Sequence, residues 1–194
     1  MKTLATAALT ALVSMLGFGI LYPVLIWAIA TPLFHAQATG SLIERDGHVI
    51  GSRLVGQNFA GPGYLHPRPS AAGTKGYDPT ATGGTNFGPT SKKWYDATRA
   101  TIAAVRRENP EATGPIPADL VTSSASGIDP HISPASAAYQ LARIARARRM
   151  PIDAVRAIVA RDTERRTFGF LGEPRVDVLR VNLDLDAASA RSSS

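Results

Sequence analysis

The chain has 194 residues, a formal net charge of +6 and no cysteine. The absence of cysteine excludes disulfide scaffolds, thiol nucleophiles, redox pairs and cysteine-based zinc sites. The positive balance is compatible with nucleic acid or anionic lipid. However, Arg143, Arg146, Arg148, Arg149, Arg156, Arg161, Arg165 and Arg166 fall on two expected helices, where a solvated face is the simpler reading.

The N-terminus sets the location. No charged residue occurs from Thr3 to Ile43, and the run from Leu4 to Ala30 is almost continuously apolar. As a helix this run is about 40 Å long, against a hydrocarbon core of about 30 Å. We read residues 1–6 as cytoplasmic and residues 7–30 as a retained transmembrane helix. Pro23 is expected to kink it. Tyr22 and Trp27 lie toward the distal end, where amphipathic rings favour the interface. The rival reading is a cleaved signal peptide, since Ala36-Gln37-Ala38 resembles a cleavage site; the apolar run is longer than the usual ~7–15 residues. Lys2 and the terminal amine precede the span, so the positive-inside rule places the main domain, residues 31–186, outside the cytoplasm.

Leu42–Ser52 reads as a hairpin with Asp46-Gly47 at a type I′ turn. Residues 56–90 are dense in Gly and Pro, yet Phe59, Tyr64, Tyr77 and Phe87 are spread through them. A disordered linker has little use for aromatics, so this is read as a long ordered loop, and such loops are usually functional. A helix is expected over Ser91–Asn109, where Trp94, Thr98, Ile102 and Val105 share one face and Asn109-Pro110 stops it. A second irregular segment, 113–133, follows. Ser133-Pro134 opens the next helix as N-cap and first helical residue. Pro151 opens a third, with Ile152, Val155, Ile158 and Val159 as its apolar stripe. The alternation of Leu179, Val181, Leu183 and Leu185 with polar residues predicts a strand over Val176–Leu185. Residues 187–194 are expected to be a disordered tail. Helices and strands are segregated, so the expected fold is an α+β extracytoplasmic domain on a single N-terminal transmembrane helix.

Three groups of residues invite chemistry. Gly83-Gly84-Thr85-Asn86-Phe87-Gly88 has the Gly-x4-Gly spacing of a phosphate loop. Pro89-Thr90 follows where Lys-Ser/Thr is required, so the reading is structural: Gly83 and Gly84 supply positive φ, and Thr85 and Asn86 tie the turns. Asp129, His131 and Ser133 resemble parts of a triad, but no nucleophile elbow or oxyanion hole is visible, and a turn organised by Asp129 and His131 is the simpler reading. The four histidines show no metal-ligand spacing on a helix. Arg68, between Pro67 and Pro69, has a stiffened backbone and suits an interface anchor. The candidate interaction residues are therefore Arg68, Pro69, Ser70, Gly83, Gly84, Asn86, Gly88, Asp129 and His131. No catalytic or metal-ligating residue is assigned.

Several stretches carry a resemblance: GSRLVGQNF, the run Tyr64–Ala71, GGTNFGPTSKKW, PADLVTSSASGIDPHISPASA, Gln140 with Ala142-Arg143 and Ala145, and FGFLGEPRVDVLRVNLDLD. In this order, after one N-terminal anchor, they resemble the C subunit of the Kdp-type potassium-transporting ATPase of bacteria. Departures are small, such as His66, Thr82, Thr85 and Asp177. The resemblance implies a single-pass inner-membrane protein with a periplasmic domain, needed for pump assembly and activity. It implies a channel-like potassium-binding A subunit, an ATPase B subunit and a small F-type peptide as partners, besides membrane lipid, with no nucleic acid. ATP and K+ would be handled by those partners, with no cofactor bound directly here. Such subunits are described as catalytic chaperones that raise ATP affinity. The alternative is a membrane-tethered exported hydrolase, using Ser133 or another serine with His131, or a membrane-tethered binding protein.

Overall fold

The computed structural model describes residues 2–192, and the chain divides into two compact units, residues 1–52 and 53–194.

The first unit opens with helix α1 (Lys2–Leu16), a π-helical turn (Gly17–Leu21) and helix α2 (Tyr22–Leu33), with no buried residue in any of the three. Together, Lys2–Leu33 form the one helical run among the described residues that is long and apolar enough to cross a membrane. The run exceeds the expected 7–30 at both ends. The irregularity expected at Pro23 is the π turn, in which the Tyr22 N–H donates to the Gly17 carbonyl. Proline lacks an N–H, and its ring crowds the carbonyl four residues earlier; a widened turn relieves both. A short helix α3 (His35–Ala38) leads to the hairpin of β1 (Leu42–Arg45) and β2 (His48–Ser52). Asp46 and Gly47 both take positive φ, 53° and 76°, as a type I′ turn requires.

The second unit begins with a loop that runs to helix α4 (Lys92–Glu108), where the Ser91 hydroxyl caps by accepting from the Trp94 N–H at 3.3 Å. After a second irregular stretch come β3 (His131–Ile132), α5 (Pro134–Arg148), α6 (Ile152–Arg161), β4 (Thr163–Glu164), β5 (Arg175–Asp177) and α7 (Val178–Ser192). The three short strands pair antiparallel in the order β3-β5-β4. Ser133 caps α5 by accepting from the Ser136 N–H. Its far end closes with Arg149 in the left-handed region and Met150 N–H donating back to the Ala145 carbonyl, a Schellman closure. α5, α6, α7 and the sheet enclose the core of Ile132, Leu141, Ile144, Val155, Val159, Val176, Val181 and Leu185, into which Leu65 projects from the loop. The fold is mixed helix and sheet, as expected.

Two expectations fail at the C-terminus. Val176–Leu185 is not a strand: β5 ends at Asp177 and α7 begins at Val178. The period-2 alternation coexists with a helical stripe of Val178, Val181, Asn182 and Leu185, all buried. Asp177 decides between the two, because its carboxylate accepts from the Arg180 N–H at 3.0 Å as an N-cap. The expected tail from 187 is instead the continuation of α7 to Ser192, and Ala188 packs against the core. Residues 193 and 194 lie outside the described residues.

Candidate functional site

The Gly/Pro-rich loop, lacking any strand or helix of its own, is held by side chains. Two buried carboxamides take the place of a neighbouring strand. Asn182 on α7 accepts from the Leu65 N–H at 2.7 Å and donates to the Leu65 carbonyl at 2.9 Å. Gln140 on α5 accepts from the His66 N–H at 2.8 Å and donates to the His66 carbonyl at 3.1 Å. Each satisfies one residue's backbone pair, so Leu65 can be fully buried without orphaning polar groups.

Arg143 is the hub beneath the loop. Its guanidinium donates to the Pro62 and Tyr64 carbonyls at 2.6 and 3.0 Å, to Asn109 Oδ1 at 3.0 Å and to Gln140 Oε1 at 2.6 Å. It is only 3% exposed, and burial lowers its pKa to about 10. It therefore stays charged at neutral pH. Beside it, burial first and the Arg143 charge second hold the His66 imidazole below its ordinary range, although Glu108 lies 3.3 Å from its Nδ1. Arg148 adds a second clamp, donating to the Gly63 carbonyl at 2.5 Å and to Asp186 at 2.8 Å, and lying over the Tyr64 ring. The expectation of a solvated arginine face thus fails for Arg143 and Arg148. α5 turns both inward, because loop carbonyls need donors there.

A second cluster joins the loop to residues 122–131. Arg68 donates to the Thr122 and Ser123 carbonyls at 3.3 and 3.1 Å and pairs with Asp129 at 3.3 Å. Asp129 also accepts from the His131 N–H at 3.0 Å. Ser70 donates to the Gly127 carbonyl and accepts from the Ala72 and Tyr77 N–H groups. The Tyr77 hydroxyl returns to the Arg68 carbonyl at 2.6 Å. Gly83 N–H donates to the Ser126 carbonyl at 2.8 Å. Gly127, at φ 71°, faces Ala72 so closely that a Cβ would sit 2.8 Å from its Cβ. Burial pushes the Asp129 carboxyl upward, but the His131 contacts and Arg68 outweigh it and hold the group below its ordinary value.

Of the residues read from sequence, Arg68, Ser70, Gly83, Asp129 and His131 are thus brought together. Pro69 follows Arg68 along the wall of an open cleft of about 440 Å³. Gly83 and Gly84 do not take the positive φ expected of them. Gly84 instead allows close approach, since a Cβ there would meet the Ala125 carbonyl at 3.1 Å, and Asn86 carries the left-handed turn at φ 50°. Among the described residues no hydrogen bond joins Asn86 or Gly88 to residues 122–131; the Gly88 carbonyl accepts from the Ser91 N–H instead. The Ser133 hydroxyl is bonded to Asp119 at 3.1 Å and to the Ser136 N–H, rather than to His131. Asn182 and Asn109 were missed. Asn182 gave no sequence signal, because in the expected strand it falls among the polar alternates; only in the observed helix does it lie on the buried stripe.

A second open cleft, of about 660 Å³, is lined by Arg68, Asp119, Asp129, His131, Glu173 and Arg175 among others. Polar side chains here tie loop to helix, and no group of three His, Cys, Asp or Glu able to hold a metal ion occurs among the described residues.

A unit of mixed helix and sheet, an N-terminal unit with one helical run long and apolar enough to cross a membrane, and buried polar groups turned onto an ordered loop define the class: a domain built around its loop. The chain belongs to the family described as K+-transporting ATPase, c chain, whose model matches residues 4–187. It is similar to the potassium-transporting ATPase KdpC subunit of Gemmatimonas aurantiaca, 56% identical over 180 residues, covering 91% of this chain and 88% of that one. The KdpC subunit of Koribacter versatilis is 51% identical over 186 residues, covering 95% and 94%. That of Methylococcus capsulatus is 51% identical over 181 residues, covering 93% and 95%.

Proposed function

We propose that this chain is a non-catalytic accessory subunit of an ATP-driven potassium uptake pump of the bacterial inner membrane. It is needed there for assembly and turnover. The match over almost the whole chain to potassium-transporting ATPase subunits carries this reading. Its partners are the channel-like potassium-binding A subunit, the ATPase B subunit and the small F-type peptide, with lipid around the N-terminal helix. ATP and K+ are handled by those partners, and no cofactor is bound here directly.

The N-terminus lies in the cytoplasm and the second unit in the periplasm, because Lys2 is the basic residue on the short side of the span. The second unit then lies across the membrane from the compartment that holds ATP. An effect on ATP affinity, the catalytic-chaperone role, is consequently allosteric: the subunit binds one conformation of the pump better and shifts its equilibrium. The Gly/Pro-rich loop contributes an ordered face for the partner's outer surface, with Arg68 and Asp129 holding its shape.

Affinity purification of the tagged chain from membranes expressing the whole pump tests the assignment. The A and B subunits are expected to co-purify stoichiometrically. Isolation of the chain alone, with a pump that assembles without it, would contradict it.

A further inference from the structure

The sequence between β4 and β5 ends in a tip that the fold does not use. Phe168 is 85% exposed, Phe170 68% and Leu171 50%. This is not a slack loop. Thr167 and Leu171 exchange both backbone bonds at 2.9 Å, and the Gly169 N–H donates to the Arg166 carbonyl at 3.0 Å. Phe168 and Gly169 both take positive φ, 54° and 83°. Glycine adopts that region freely, but a bulky aromatic there is an outlier. The chain thus holds two exposed phenyl rings on a hydrogen-bonded turn, one of them in an unfavourable backbone conformation.

We propose that Phe168–Leu171 is a plug that seats in an apolar socket on another subunit of the pump. The inference rests on the reading of the chain as a pump subunit. Three observations favour a protein socket over lipid. A bilayer accepts apolar residues in any geometry, whereas a preformed turn lowers the ordering cost only where the receptor is also shaped. An anionic headgroup layer needs a basic collar, and here the collar is largely neutralised: Arg166 pairs with Glu173 at 2.6 Å and Arg175 with Glu164 at 2.7 Å. Only Arg165 at the base of the turn has no ion-pair partner among the described residues. The socket therefore carries a carboxylate on its rim, facing Arg165. The plug is also continuous with a surface already described. Glu173 and Arg175, which fix its base, line the 660 Å³ cleft together with Arg68 and Asp129. A subunit seated on the plug reaches that cleft wall as well. Aromatic anchors with an arginine beside them are the composition of interface hot spots.

The test compares the complete pump carrying wild-type chain with pumps carrying Phe168→Gly, Phe170→Ser or both. Loss of the rings is expected to reduce co-purification of the chain with the other subunits by about tenfold or more after dilution. The Phe168→Gly chain, melted alone in detergent, is expected to keep or raise its melting temperature, since glycine suits that φ. Phe170→Leu is expected to retain most of the association. Wild-type retention of the doubly substituted chain would overturn the plug. So would a lowered melting temperature of the isolated Phe168→Gly chain that accounts for any loss, or an effect seen only on vesicle binding or on self-association. Failure of the wild-type chain itself to co-purify would instead overturn the assignment as a pump subunit.

Discussion

Arg143 illustrates what a single buried charge does in this protein. Four of its donors hold two loop carbonyls and two side chains, so its removal strands acceptors away from water. Arg143→Met is expected to destabilise the second unit by about 3 kcal/mol or more in denaturant unfolding, with the loop losing protection before the helices. Asp162 acts in the opposite direction. It caps α6 with its side chain fully buried and its carboxylate oxygens without a hydrogen bond, Arg180 Nε lying 3.1 Å away. Burial first, then the neighbouring Asp184, raises its pKa to about 6 against Arg161 and Arg180. Between the ordinary carboxylate value near 4 and 6, the folded state binds a proton that the unfolded chain releases. Stability from this group therefore falls as pH rises through that window. Asp162→Asn is expected to flatten that slope and to raise stability at pH 7 by about 2 kcal/mol, read from melting curves at pH 4.5 and 7. An unchanged slope would show that Asp162 is already charged across that window. His66, held neutral by burial, contributes the other way: its stabilisation is present above about 6.5 and lost as pH falls.

At the scale of elements, the sequence was legible where local signals agree with the tertiary structure. The hairpin at Asp46-Gly47, the cap at Ser133 and the buried Val155, Ile158 and Val159 of α6 could all be read from residue types and spacing, whereas Ile152 of the same stripe is exposed. α7 could not be read in this way, because its apolar residues satisfy two periods at once. The arbiter was Asp177, a cap residue that also sits in β5 opposite His131. Asp177→Ala is expected to cost about 1 kcal/mol and to fray the start of α7, visible as faster amide exchange at Arg180. The candidate site was legible in part for a similar reason. Arg68, Asp129 and Ser70 have chemistry that must be satisfied somewhere, and turn-forming residues around them mark the place. The carboxamide pairs of Asn182 and Gln140 with Leu65 and His66 join positions far apart in sequence, and no local pattern records such pairing.

At the scale of the whole molecule, the proposed topology divides the chain between two compartments. The absence of cysteine makes this testable without background. Single cysteines introduced at Thr3 and at Thr113 are expected to react oppositely with a membrane-impermeant thiol reagent in intact spheroplasts: Thr113→Cys labelled, Thr3→Cys labelled only after lysis. The reverse pattern would invert the topology and place the second unit beside ATP. If the second unit lies outside, its influence on the motor has to be conformational, with nucleotide held by the partners. The most direct measurement of that claim is potassium-stimulated ATP hydrolysis by the purified pump, assembled with and without this chain, together with titration of Mg-ATP onto the chain alone. Hydrolysis is expected to be lost without the chain and to return on reassembly, while the chain alone is expected to show no saturable, adenine-selective binding at physiological salt. Unchanged hydrolysis in its absence, or a micromolar adenine-selective site on the isolated chain, would contradict that claim.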